Sequence, residues 1–173
     1  MKRLLVVVDY QNDFVNGALG FDGAELLEEP IIDLVKTYER NGDEIVFTKD
    51  VHGKDYADTE EGKNLPVAHC IIGTGGEEFY GGVKRLASRH VIFEKNTFGS
   101  ARLGTYLLSR HFDVIELCGL DFSICVLANA IIAKSSCPNA HIRILAKYSG
   151  CGDPEALEHA KHAAARLHIE VAE

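Results

Sequence analysis

The sequence predicts an α/β fold built on a mainly parallel sheet. Three observations carry this. Leu4–Val8 is an unbroken apolar run, the pattern of a strand buried on both faces. Further short apolar runs recur along the chain and alternate with segments of helical period, as a parallel sheet covered by crossover helices requires. The 173 residues, 46% of them hydrophobic, contain no internal repeat, low-complexity stretch or linker, so one domain spanning 1–173 is expected.

After the first strand, Ala24–Arg40 spaces Leu26, Leu27, Ile31, Leu34, Val35 and Tyr38 along one helical face, and Asn41-Gly42 stops it. Glu44–Thr48 is the second strand. Lys49–Gly76 follows as a long segment rich in Asp, Glu, Gly and His, and loops of that length are usually functional. Gly81–Ser88 reads as a short helix, His90–Phe93 as the third strand, Ser100–Arg110 as a helix and Val114–Cys118 as the fourth strand. Phe122–Ser136 reads as a helix apolar almost all round, and so deeply buried. Ile142–Leu145 is the fifth strand. Asp153-Pro154 supplies an N-cap and an N1 proline for a helix reaching Leu167, and Ile169–Ala172 ends the pattern as a short edge strand.

Charge and composition narrow the function. A net charge of −8 argues against nucleic acid as the main partner, because phosphate binding needs a basic face. No apolar run approaches the roughly 18–20 residues of a membrane span, and Met1-Lys2-Arg3-Leu4 runs straight into a strand without the apolar core of a signal peptide. The five cysteines are odd in number, widely spaced and free of Cys-x-x-Cys, which suits a reducing, cytoplasmic setting.

Three residues fall at or near the carboxyl ends of apolar runs, the edge where open parallel sheets bind ligands: Asp9, Lys95 and Cys125. Asp9 ends five apolar residues, so its carboxylate needs a polar cavity or a partner; the bland alternative, capping the next turn, suits Asp13 better. Lys95 is followed by the loop Asn96–Ser100, which favours an inward ammonium over a surface pair with Glu94. Cys125 opens a helix after a strand and a Gly-containing turn, where free N–H groups favour a thiolate and an oxyanion. Cys118 and Cys137 read as core thiols, whereas Cys70 and Cys151 stand in loops that allow exposure. Asp50-Val51-His52 puts two ligands on one side of an extended segment, and His69 follows with Glu60 and Glu61 between. Such a set suits zinc, iron or manganese with positions left open.

Together these residues resemble the isochorismatase-like cysteine hydrolases, and within them the nicotinamidase and pyrazinamidase branch. The matching pieces are Val8–Phe14, Thr48–His52, Thr59–Gly62 with Leu65–Cys70, Gly73–Gly76, Glu94–Phe98 and Gly119–Val126. The resemblance implies a three-layer α/β/α sandwich around a six-stranded, mainly parallel, Rossmann-like sheet, and a homo-oligomer, dimer or tetramer. It implies Asp9, Lys95 and Cys125 as catalytic triad, and Asp50, His52, His69 and Glu61 as ligands of a divalent metal, zinc foremost. It also implies a cis peptide at Leu120–Asp121, backbone N–H groups of Asp121 and Cys125 as oxyanion hole, and Phe14 as a wall for a small amide substrate. Two departures stand out. Relatives usually carry a small residue, Thr and Asp where this chain has Asp121, Phe122 and Ser123. Pro66 occupies the position where nicotinamidases often place a large aromatic. The function implied is therefore hydrolysis of the carboxamide of nicotinamide or a similar heteroaromatic amide through a thioester. The alternatives are a metal-free hydrolase of another amide, ureido compound or vinyl ether, and a catalytically silent scaffold. A dinucleotide-binding protein fits less well, because no Gly-x-Gly-x-x-Gly follows the first strand.

Overall fold

The computed structural model describes all residues, Met1–Glu173. Six strands form one parallel sheet: β1 (Arg3–Val8), β2 (Glu44–Asp50), β3 (Val91–Lys95), β4 (Val114–Gly119), β5 (His141–Ser149) and β6 (Glu170–Ala172), in the order β3-β2-β1-β4-β5-β6. The helices are α1 (Asn12–Val15), α2 (Glu28–Asn41), α3 (Glu60–Asn64), α4 (Val83–Ala87), α5 (Ala101–Leu108), α6 (Leu127–Ser136) and α7 (Pro154–Arg166). No helix is long and apolar enough to cross a membrane.

The alternation of side chains along each strand splits the core into two layers. Leu4, Val6 and Val8 face Leu103 and Leu107 of α5, Ala130 and Ala133 of α6, and Ala160 and Ala164 of α7. Leu5 and Val7 face Ile31 and Val35 of α2 and Val83 and Leu86 of α4. This is the expected three-layer sandwich. The strand order reverses between β1 and β4, with successive strands added first to one side of β1 and then to the other, and ligands gather outside the carboxyl ends at such a switch point.

Several local expectations change. The Ala24–Arg40 segment divides into a 3₁₀ turn over Ala24–Leu27 and α2. β3 runs on through Lys95, because pairing with β2 continues to Asp50. β5 extends four residues beyond Leu145 to Ser149. The segment from Phe122 opens as a π-helical turn over Phe122–Val126 before α6 begins. It is buried on one face only: Ile124 and Ile131 remain exposed. Cys70, read as a loop thiol, is fully buried.

Candidate active site

The carboxyl edge of the sheet is built from strand ends. β1 delivers Asp9, whose φ of 47° lies in the left-handed region, sparsely used by residues other than glycine. Beside it Gly119 ends β4 with φ 120°, and a Cβ there would strike the backbone carbonyl of Val8. Only glycine lets the turn toward the thiol pass that close to β1.

Asp9 is fully buried. Its Oδ1 accepts from Thr48 Oγ1 at 2.6 Å, and Lys95 Nζ lies 2.7 Å from Oδ2. The ion pair apart, Oδ2 has no hydrogen-bond donor. Asp9 therefore does not cap the next turn; Asp13 does, through Ala18 N, and it also accepts from Cys70 N. Lys95 Nζ stands 3.9 Å from Cys125 Sγ and 3.4 Å from Asp50 Oδ1. One ammonium thus touches two carboxylates and the thiol.

The electrostatics follow from burial. Asp9 is pushed above the usual carboxylate range by desolvation, which the Lys95 charge only partly offsets. Desolvation and the Asp9 charge hold the Cys125 thiol well above its ordinary value, with Lys95 pulling the other way. Burial works to lower Lys95, but Asp9, Cys125 and Asp50 raise it, so it stays charged. Asp9 and Cys125 thus both resist ionisation around one fixed cation.

The second cluster adjoins the first. His52 Nε2 lies 2.9 Å from Asp50 Oδ2 and 3.6 Å from Glu61 Oε1. His69 Nε2 lies 3.5 Å and 3.4 Å from the same two carboxylates. Asp50, His52 and His69 are all buried, and their ligand atoms lie within 4.8 Å of one another. Glu61 reaches them because Thr59 caps α3, its Oγ1 accepting from Gly62 N; Glu60 is exposed on the far side. His69 Nδ1 donates to Val67 O at 2.8 Å, which leaves Nε2 to present its lone pair to the cluster. Three buried acceptors this close, with Glu61 beside both imidazoles, repel one another unless a cation lies among them, so the donor set fits a divalent metal ion. Desolvation tends to raise Asp50, but the adjoining His52 and His69 imidazoles and the Lys95 charge hold it well below the usual range.

A cavity of about 250 Å³ opens onto both clusters. Phe14, Phe21, Phe98 and Leu65 form apolar walls, with Asp50, Glu61, His69 and Cys125 on the lining. The cavity is smaller than drug-sized pockets, which suits a single small ring. Pro66 is exposed and forms no wall; Leu65 takes that side.

Two expectations for the turn before Cys125 are corrected. Every peptide bond is trans, Leu120–Asp121 included; left-handed backbone stands instead at Asp9 and Gly119, past the end of β1 and at the end of β4. The Asp121 carboxylate turns away from the thiol, with Oδ1 accepting from Ser123 N (2.7 Å) and Ser123 Oγ (2.6 Å) and Oδ2 from Gly152 N (3.2 Å). It serves as N-cap of the nucleophile turn. The N–H of Asp121 has no acceptor within the protein.

Sequence reasoning missed three supporting residues. Thr48 orients Asp9. Gln11, fully buried, clamps the end of β2: its Oε1 accepts from Asp50 N at 2.7 Å and its Nε2 donates to Asp50 O at 2.8 Å. Asn129 bonds to the Cys125 carbonyl. Parallel pairing of Val8 with Thr48 was the available signal for the first; a lone amide inside an apolar helical run was the signal for the third.

Comparison with known proteins identifies the family and the fold. The Isochorismatase domain model matches residues 3–165. A Bacillus subtilis protein described as the uncharacterized isochorismatase family protein PncA is 32% identical, over 92% of this chain and 94% of that protein. The nicotinamidase of Saccharomyces cerevisiae is 27% identical, over 76% of this chain and 81% of its own length. The crystal structure of a nicotinamidase/pyrazinamidase PncA from Bacillus subtilis superposes with a TM-score of 0.87 at 32% identity, covering 100% of both chains.

Proposed function

Because the chain belongs to the isochorismatase domain family, we propose that it is a cysteine amidohydrolase that converts nicotinamide, or a similar small heteroaromatic amide, to the acid and ammonia. One observation carries the reading: Lys95 Nζ, 2.7 Å from Asp9 and 3.9 Å from Cys125, joins a thiol–carboxylate pair to an imidazole–carboxylate cluster on one small cavity.

In the proposed reaction the Cys125 proton passes to Asp9 Oδ2 as sulfur attacks the amide carbonyl carbon. Lys95 steadies the negative charge that moves between the two. The carbonyl oxygen becomes an oxyanion held by the N–H groups of Asp121 and Cys125. Collapse breaks the C–N bond, Asp9 returns the proton to nitrogen, and ammonia leaves a thioester. Asp9 then takes a proton from water as it attacks the thioester, and the acid departs as the thiol re-forms. Phe14, Phe21 and Phe98 enclose the ring and exclude water from the oxyanion. Asp50, His52, His69 and Glu61 would hold a divalent ion, zinc suiting the nitrogen and oxygen donors best, with iron or manganese as alternatives. Such an ion would supply Lewis acidity toward a nitrogen of the substrate ring. All five thiols are unpaired, which supports a reducing, cytoplasmic setting.

The test is ammonia release from nicotinamide by the purified protein, before and after chelation. Release that falls on chelation and returns with zinc is expected. Release indifferent to chelation points to the metal-free reading. No release from nicotinamide or other aromatic amides overturns the assignment.

A further inference from the structure

The loop Asn96–Ser100 has two tasks: it continues from Lys95 and it carries Phe98, a wall of the cavity. It leaves an edge strand, β3, which has a neighbour on one side only. Phe98 itself is 46% exposed, so packing does little to fix it. Every hydrogen bond between this loop and the helix of Cys125 comes from one side chain, Asn129. Its Oδ1 accepts from Ser100 N at 3.0 Å, and its Nδ2 donates to Phe98 O at 3.2 Å. The same Nδ2 donates to Cys125 O at 2.8 Å. Asn129 is fully buried, and Gly99 lets the loop lie against α6, since a Cβ there would crowd Ile132. The π-helical turn over Phe122–Val126 widens the helix at the nucleophile, where such turns often mark functional sites.

We propose that Asn129 is a positioning residue that sets the distance between the nucleophile turn and the Phe98 wall, and with it the fit of the ring beside Cys125. The inference rests on the amidohydrolase reading for its substrate but not for its geometry. An amide is the side chain that can do this with one buried group, because it offers two donors and an acceptor at once. Hydroxyl and carboxylate substitutes separate the functions. In Asn129→Thr the hydroxyl bonds back to the carbonyl four residues earlier and can accept from Ser100 N, but the Phe98 bond is lost. In Asn129→Asp the shape is kept, and both donated bonds become contacts between acceptors.

Two readouts test it: kcat and KM for nicotinamide, and the rate at which iodoacetamide alkylates Cys125. Asn129→Asp should lower kcat/KM by roughly ten- to a hundredfold, the scale of an ångström's misplacement at a reacting centre, and change the alkylation rate. Asn129→Thr should restore the parent alkylation rate and most of kcat while KM stays raised, a split that a general loss of stability would not produce. Parent values of kcat, KM and alkylation rate in both variants would overturn the proposal. So would equal loss of kcat with unchanged KM in Asn129→Thr. Should Asn129→Asp fail to fold, Asn129→Thr still decides between these outcomes. If the parent releases no ammonia, the substrate reading fails, and the alkylation rates alone judge Asn129: a change in Asn129→Asp reversed in Asn129→Thr supports it, and parent rates in both overturn it.

Discussion

Two clusters of buried charge sit in the same sheet, and they are matched very differently. Toward the amino ends of the strands, Glu116 on β4 lies between Arg3 on β1 and Arg143 on β5, with the Tyr38 hydroxyl donating to it from α2. Both oxygens of one acid meet donors that keep a water-facing side, Arg3 and Arg143 being about a third exposed. Burial would raise Glu116, but Tyr38, Arg3 and Arg143 outweigh it and lower its pKa. At the carboxyl ends Asp9, Asp50 and the Cys125 thiol crowd around a single buried ammonium, and Asp9 and Cys125 are pushed up. The first cluster gives its acid donors on both oxygens and holds strands together; only Arg143 Nε lacks a hydrogen bond, 3.3 Å from Glu170 Oε1. The second is left short of cations and donors, and that shortage makes a proton mobile and a metal welcome.

Substitutions should separate the two. Asp9→Asn removes the proton acceptor and should lower kcat by about 10²–10⁴, the range of general-base catalysis, whereas Glu116→Gln should leave kcat unchanged. Comparable loss in both would erase the distinction. Next in size, His52→Ala should weaken zinc binding and turnover by at least tenfold, which metal analysis of the purified variant beside steady-state rates would reveal. Glu116→Ala should act on stability instead. About 2–3 kcal/mol is expected, the low end for breaking a buried pair because both arginines remain partly hydrated. Calorimetry should then show a fall in Tm of roughly 4–12 °C for a chain of this size.

The smallest effect is a displacement of two acid limbs. Asp9 must be ionised to accept the thiol proton, and its pKa is raised, so kcat/KM should fall with pH above the ordinary aspartate value of about 3.9. Glu116 has a lowered pKa in the fold. The stability it contributes is complete above its unfolded value of about 4.3 and is lost as pH falls from there through the folded value. Activity should therefore fade while the fold remains intact. Glu116→Gln should flatten the acid limb of Tm without moving that of kcat/KM; coincident limbs in the parent would count against the assignment of Asp9.

Much of this was legible in the sequence, and for a physical reason. β1 lies inside a parallel sheet, so a continuous apolar run betrays it, and Asp9 just past the end of that run stands out. Asp50 and His52 were visible through the period of an extended segment. The end of β5 was not, because Lys147, Tyr148 and Ser149 sit where the sheet reaches solvent and carry no apolar signal. Nor could pattern alone divide the Phe122–Ser136 run, since a π-helical turn keeps nearly the same apolar spacing as an α-helix. Gln11, Thr48 and Asn129 escaped because a satisfied buried polar group looks in sequence like any turn, strand or helix residue; only its partners, distant along the chain, give it meaning.

Two buried thiols seven residues apart offer the most direct test. Cys118 within β4 and Cys125 at the nucleophile turn are both pushed up by burial, but only Cys125 touches Lys95. Ammonia release from nicotinamide should be measured for Cys125→Ala and Cys118→Ala under identical conditions. The expected result is a loss of about a thousandfold or more in Cys125→Ala, with Cys118→Ala close to the parent. Substantial turnover retained by Cys125→Ala would contradict the thiol mechanism and the role given to the whole carboxyl-edge cluster.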